Sequence, residues 1–143
     1  MNTQLVQPQE ATLEQCRSML VSPELSARHL GCWGEAAAAR WLEHHGWHIL
    51  DHNWHSRFGE LDLVARNEHN ELAFIEVKTR RGLMFGSPIE AVGIHKQRNL
   101  RRAALQWLLD PEHRIPHGQI RFDVVGVLIQ APRIRFTHVP YAF

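Results

Sequence analysis

Apolar positions recur in two rhythms along this chain, and the changes of rhythm mark its elements. From Ser26 to His45, Leu30, Trp33, Ala37 and Trp41 fall three or four apart, which predicts a helix with one apolar stripe. The small residues Ala36 to Ala39 favour helix and let it lie close to a sheet, and Gly46 is a natural C-terminal stop. Ile94, Leu100, Ala104, Trp107 and Leu108 predict a second helix over Ile94–Leu109, ended by Asp110-Pro111. Runs of β-type composition predict strands at Trp47–Trp54, Gly59–Arg66, Leu72–Thr79, Ile120–Ile129 and Arg133–Val139. The polar stretch Asn67–Glu71 reads as a turn. Arg80–Glu90, with Gly82, Gly86 and Pro88, reads as a loop. Ala11–Val21 predicts a short helix ended at Ser22-Pro23, within an N-terminal extension over residues 1–26 that precedes one domain at 27–143. The order α-β-β-β-α-β-β predicts an α/β fold: a central mixed β-sheet flanked by helices.

Composition narrows this picture without changing it. A length of 143 residues favours one domain, and 44% hydrophobic residues with five Trp and six Phe sustain a real core. A formal net charge of +1 excludes a global basic field, so any nucleic-acid surface is a local patch. Cys16 and Cys32 form neither a disulfide framework nor a zinc pattern. Met1 to Glu10 lacks a signal layout, and no apolar run approaches the roughly 20 residues of a membrane helix. The expectation is a soluble, cytoplasmic protein with no membrane partner.

The chemistry lies where polar groups interrupt apolar strands. In Leu72–Lys78, Glu76 and Lys78 are two apart and share a face, while Ala73, Ile75 and Val77 take the other. A strand this apolar is normally buried on both sides, where a charge is costly unless paired or metal-bound. Asp62 interrupts the preceding run Gly59–Ala65 in the same way. If the intervening turn is an odd-numbered loop centred near His69, Asp62 stands directly across from Glu76, with Cβ atoms roughly 5 Å apart. Two carboxylates that close repel, and a divalent cation between them removes the cost. Mg²⁺ or Mn²⁺ suits such a site, bound by one or two carboxylates with water and substrate phosphate. Lys78 then stands where an ammonium orients water or stabilises phosphate charge. A bare Glu-x-Lys is more often a solvated pair. The register of Asp62, the apolar flanks and the basic run Lys78–Arg81 together favour a site for phosphodiester hydrolysis.

Asp62 followed by Glu76-x-Lys78 at the end of an apolar strand resembles the PD-(D/E)xK nuclease superfamily, which includes restriction endonucleases and Holliday-junction resolvases. Gly34-Glu-Ala-Ala-Ala, Gly59-Glu-Leu-Asp-Leu-Val, Phe74-Ile-Glu-Val-Lys-Thr-Arg, Phe85-Gly-Ser-Pro-Ile-Glu-Ala-Val92 and Arg121-Phe-Asp-Val-Val together resemble the YraN-type family of small bacterial proteins, over about residues 28 to 130. The resemblance implies a restriction-endonuclease-like fold, Asp62 and Glu76 as metal ligands, and Lys78 as catalytic cation. In the resolvase-like branch a helix glutamate also reaches the metal, and Glu35 matches it. On its own Glu35 reads equally well as a surface acid near a helix N-terminus. Lys96 and Gln97 fall where the superfamily often places an auxiliary polar residue. Glu60 is set aside as facing away from Asp62.

Further candidates come from charge. Lys96, Arg98, Arg101 and Arg102 oppose the apolar stripe of the second helix, and with Arg80 and Arg81 they are expected to contact backbone phosphates. DNA is the expected partner ahead of RNA, and a homodimer is expected if the substrate is a junction. His48, His52 and His55 lack a fourth ligand and read as surface histidines. Asp123 is expected to pair structurally with Arg121 or Arg135, and Trp47 and Trp54 to pack in the core. The alternative to an enzyme is a non-catalytic nucleic-acid-binding or adaptor module that keeps the fold.

Overall fold

The computed structural model describes residues 6–82 and 92–143. Most of the Arg80–Glu90 loop and all but Val92 of the Phe85–Val92 segment therefore lie outside the described residues. The elements run α1 (Leu13–Leu20), α2 (Ala27–His44), β1 (His48–Ser56), β2 (Gly59–Arg66), β3 (Leu72–Arg81), α3 (Ile94–Leu109), β4 (Ile120–Gln130) and β5 (Arg133–Val139). The strands form one five-stranded sheet in sequence order. Three of the pairings are antiparallel and β3–β4 is parallel, so the sheet is mixed. The crossover between β3 and β4 carries α3, as a parallel pair requires. The architecture is α/β and consistent with a restriction-endonuclease-like fold.

Alternation along β3 builds both sides of the core. Ala73, Ile75 and Val77 join Ala37, Ala38 and Leu42 of α2, whereas Leu72 and Phe74 join Leu100, Ala104 and Trp107 of α3. The stretch Leu72 to Val77 is buried on both faces, so Glu76 sits among apolar neighbours as its sequence setting implied. Gly34 decides how closely α2 approaches β3. A Cβ there would collide with the Thr79 side chain, so only glycine lets the helix backbone pass.

Three features of the described residues go beyond the expected bounds. Within the N-terminal segment, Ala11, Cys16 and Leu20 are at most 1% exposed and belong to the α2-side core. Cys16 and Leu20 are one helical turn apart, and a buried thiol serves as a small hydrophobe. The helix starts on a Thr12–Gln15 capping box, and the Arg81 guanidinium donates to the Ser22 carbonyl at 2.9 Å. Second, β1 extends to Ser56, because a two-residue turn leads directly to Gly59 at φ +125. Third, β3 runs on to Arg81, held by β4 alone beyond the β2 ladder.

Candidate metal centre and nucleic-acid face

The hairpin register is the odd one anticipated. Leu63 pairs with Ile75, Val64 with Phe74, Ala65 with Ala73 and Arg66 with Leu72, around the loop Asn67–Glu71. That loop closes through the Asn67 N–H donating to the Glu71 carbonyl, with Asn70 at φ +63. Extending the register by one step sets Asp62 against Glu76. The backbone ladder stops at Leu63–Ile75, however. The Val77 N–H donates instead to Asp62 Oδ2 at 2.9 Å, so a carboxylate replaces a cross-strand carbonyl. The strands part there, and the gap is lined by acids.

Glu35 reaches this gap from α2. Its carboxyl lies close enough to the Asn53 and Asp62 side chains for both to pull its pKa down. Asn53 stands on β1 between the pairs His52–Leu63 and Trp54–Leu61, hence opposite Asp62. It takes φ +49, a conformation asparagine tolerates better than most residues. Burial raises the Glu35 carboxyl to about 7, with the charges of Glu60 and Glu76 adding to the rise and the Asn53 and Asp62 side chains opposing it. Burial also pushes Asp62 up to about 8, reinforced by Glu76 and Glu35 and opposed by the Val77 N–H and Lys96. Near neutral pH, therefore, protons take up part of the repulsion among these acids.

Two ammonium groups face the buried Glu76. Lys78 Nζ lies 3.3 Å and Lys96 Nζ 3.5 Å from its Oε1. The other oxygen, Oε2, is buried with no hydrogen-bond partner among the described residues. An orphaned carboxylate oxygen in an apolar setting is costly, and a cation is what satisfies it. Among the described residues no three of His, Cys, Asp or Glu close into a ready-made metal group. Mg²⁺ does not require one, since it retains several waters and takes one or two carboxylates. The carboxylate oxygens of Asp62, Glu76 and Glu35 are donors of the type a hard divalent cation takes.

The structure gathers Asp62, Glu76, Lys78 and Glu35, the four residues singled out for catalysis. Lys96, expected on a phosphate-contacting face, points to Glu76 instead. Arg81 is likewise engaged, by Ser22. Arg80, Arg98 and Arg102 are exposed, and the Arg102 guanidinium lies 5.6 Å from the Phe58 ring centre. Setting Glu60 aside was an error of alternation: residues two apart share a face, and its charge is felt by Glu35. Asn53 was missed altogether. Its signal lay in an asparagine interrupting a strand, but its register depends on a bulge between Ile49 and Asp51 that alternation does not reveal.

A second buried acid is structural. Asp123 accepts from Arg121 Nε at 3.0 Å and Nη2 at 2.6 Å, meets His138 Nε2 at 2.6 Å, and accepts the Tyr141 N–H at 3.1 Å. These partners hold its carboxyl below the usual range despite burial. Arg121 also lies over Trp47, 5.1 Å from that ring centre, and Trp54 packs edge-on to His113.

The fold and its acid–lysine cluster define an α/β protein of restriction-endonuclease-like architecture with a buried carboxylate centre at a strand opening. The model of the uncharacterised protein family UPF0102 matches residues 34–127, and the chain belongs to that family. A UPF0102 protein of Bifidobacterium longum is 47% identical over 119 residues, covering 83% of this chain and 96% of its own. One from Rhodococcus jostii is 49% identical over 115 residues, 80% of this chain and 95% of its own, and one from Nocardia farcinica 53% over 100 residues, 70% and 76%. No described helix is long and apolar enough to cross a membrane.

Proposed function

We propose that this protein is a metal-dependent nuclease of the PD-(D/E)xK kind that hydrolyses phosphodiester bonds in DNA. The observation that carries this is Glu76, a buried carboxylate with one oxygen unpartnered among the described residues, flanked by Lys78 and Lys96 and facing Asp62 across parted strands. Asp62, Glu76 and Glu35 would hold Mg²⁺ or Mn²⁺. When bound, the ion supplies activation of the attacking water and neutralisation of phosphate charge. Lys78 places an ammonium beside the reacting centre to stabilise the developing negative charge. Asn53 orients the Glu35 carboxyl. Arg98 and Arg102 supply exposed cations for backbone phosphates.

The test is incubation of the protein with branched, single-stranded and duplex DNA in Mg²⁺ or Mn²⁺. Metal-dependent cutting that Asp62→Ala and Lys78→Ala each abolish is expected. Cutting that survives both substitutions overturns the reading. Salt-dependent binding of DNA without cleavage would instead identify a non-catalytic module, the reading favoured by the exposed arginines of α3 alone.

A further inference from the structure

A cleft of about 620 Å³ opens beside the acid cluster. It lies between α2 and the edge strand β1, and Gln7–Gln9 form part of its wall. The Gln9 carbonyl accepts from Arg40, which fastens that segment to α2. Glu35 and Asn53 line the cleft as well as the carboxylate centre, so the two are continuous. Its cationic lining comes from Arg28, with His29 and His52 beside it, all exposed. The exposed imidazole rings of His29 and His52 are its aromatic surfaces, Trp33 being buried in the α2-side core. Arg28 precedes Glu35 by two helical turns, about 10 Å at 1.5 Å per residue.

We propose that this cleft is the seat for an unpaired strand of the nucleic-acid substrate, so that the protein acts on single-stranded ends, flaps or openings rather than on continuous duplex. The proposal rests on the nuclease reading above. Size is the first argument: clefts of roughly 300–1,000 Å³ hold small-molecule-sized groups. That accommodates unpaired nucleotides, whereas a duplex needs an open groove or face. Composition is the second. A cation for the backbone and an aromatic for a base are the parts of single-strand sites. Position is the third, because a strand held by Arg28 leads along α2 to Glu35. Of the acids lining the cleft, Glu43 is paired with Arg40 and Glu35 faces the carboxylate centre, so Arg28 stands as the cleft's exposed arginine.

Cys32 provides a reporter. It lines the cleft and is exposed, whereas Cys16 is fully buried. The full-length protein is alkylated with a thiol reagent in Ca²⁺, with and without a single-stranded thymidine oligonucleotide or a blunt duplex of equal length. Binding of both DNAs is followed in parallel by fluorescence anisotropy. The oligonucleotide is expected to slow Cys32 alkylation severalfold and the duplex to leave it unchanged. Arg28→Ala is expected to weaken oligonucleotide binding and lower its salt slope by about one. If the oligonucleotide binds but Cys32 reacts at its free rate, or if the duplex protects equally, the cleft proposal is overturned and the nuclease reading stands. If neither DNA binds at low salt, both fall.

Discussion

Asp62 accepts the backbone N–H of Val77 at 2.9 Å, one step beyond the last backbone pairing of their hairpin. A side chain thus takes over where the sheet ladder ends. The same contact that satisfies a buried donor opens the strands and leaves room for Glu35 and Asn53 to reach the gap. Local structure and site chemistry are one feature here.

That arrangement sets a pH dependence. Asp62 titrates at about 8 in the folded protein against 3.8 ordinarily, so between those values the folded state binds the extra proton. Its contribution favours folding at low pH and is lost as pH rises through the folded value. Glu35, raised from 4.5 to about 7, acts in the same direction. Asp62→Asn keeps an oxygen for the Val77 N–H and cannot ionise. Denaturant unfolding should therefore show the variant gaining on the wild type between about pH 5 and pH 8, by on the order of 2 kcal/mol. Parallel pH profiles for the two proteins would show that Asp62 is not the group responsible.

Metal binding must compete with those protons. Without DNA, Mn²⁺ at about a hundred times its dissociation constant should stabilise the fold by about 2.7 kcal/mol. The gain should shrink at acidic pH and disappear in Glu76→Gln. Melting curves in Mn²⁺ and in chelator check this; a metal shift that persists in Glu76→Gln places the ion elsewhere.

Gly34 is a packing requirement that controls where Glu35 lies. Gly34→Ala forces its Cβ into Thr79, and overpacking of this kind costs about 1–3 kcal/mol. Thr79→Gly should recover part of that loss when combined with it, because the colliding atoms all belong to the Thr79 side chain. A double-mutant cycle measures the coupling. Additive effects would mean that α2 and β3 do not meet at this point.

Phosphate contact by α3 predicts a different signature. Arg98→Ala and Arg102→Ala should each weaken DNA binding about equally across sequences and lower the salt slope by about one. Arg81→Ala should change stability more than affinity, since its guanidinium serves Ser22. Binding titrations across salt concentrations separate the two cases.

Much of this was legible in the sequence for definite reasons. The loop Asn67–Glu71 has an odd number of residues and is centred on His69, and together these set Asp62 against Glu76. The Glu76–Lys78 spacing fixes their shared face, and β3 betrayed its two-sided burial by being apolar throughout. What was hidden depended on irregularity or on distant packing. The β1 bulge aligns Asn53 with Asp62, and no alternation pattern reports it. Lys96 read as a phosphate-contacting cation, and as an auxiliary polar position by resemblance, and the placement of α3 turns it toward Glu76. The core role of Cys16 and Leu20 needed α2 as a partner before it had meaning.

The most direct measurement of the central claim is single-turnover cleavage of end-labelled flapped DNA in Mn²⁺ by the wild type, Glu76→Gln and Lys78→Ala. The account predicts cutting by the wild type that chelator stops, and none by either variant while both still fold. Equal cutting by all three, or cutting that chelator leaves untouched, would contradict it.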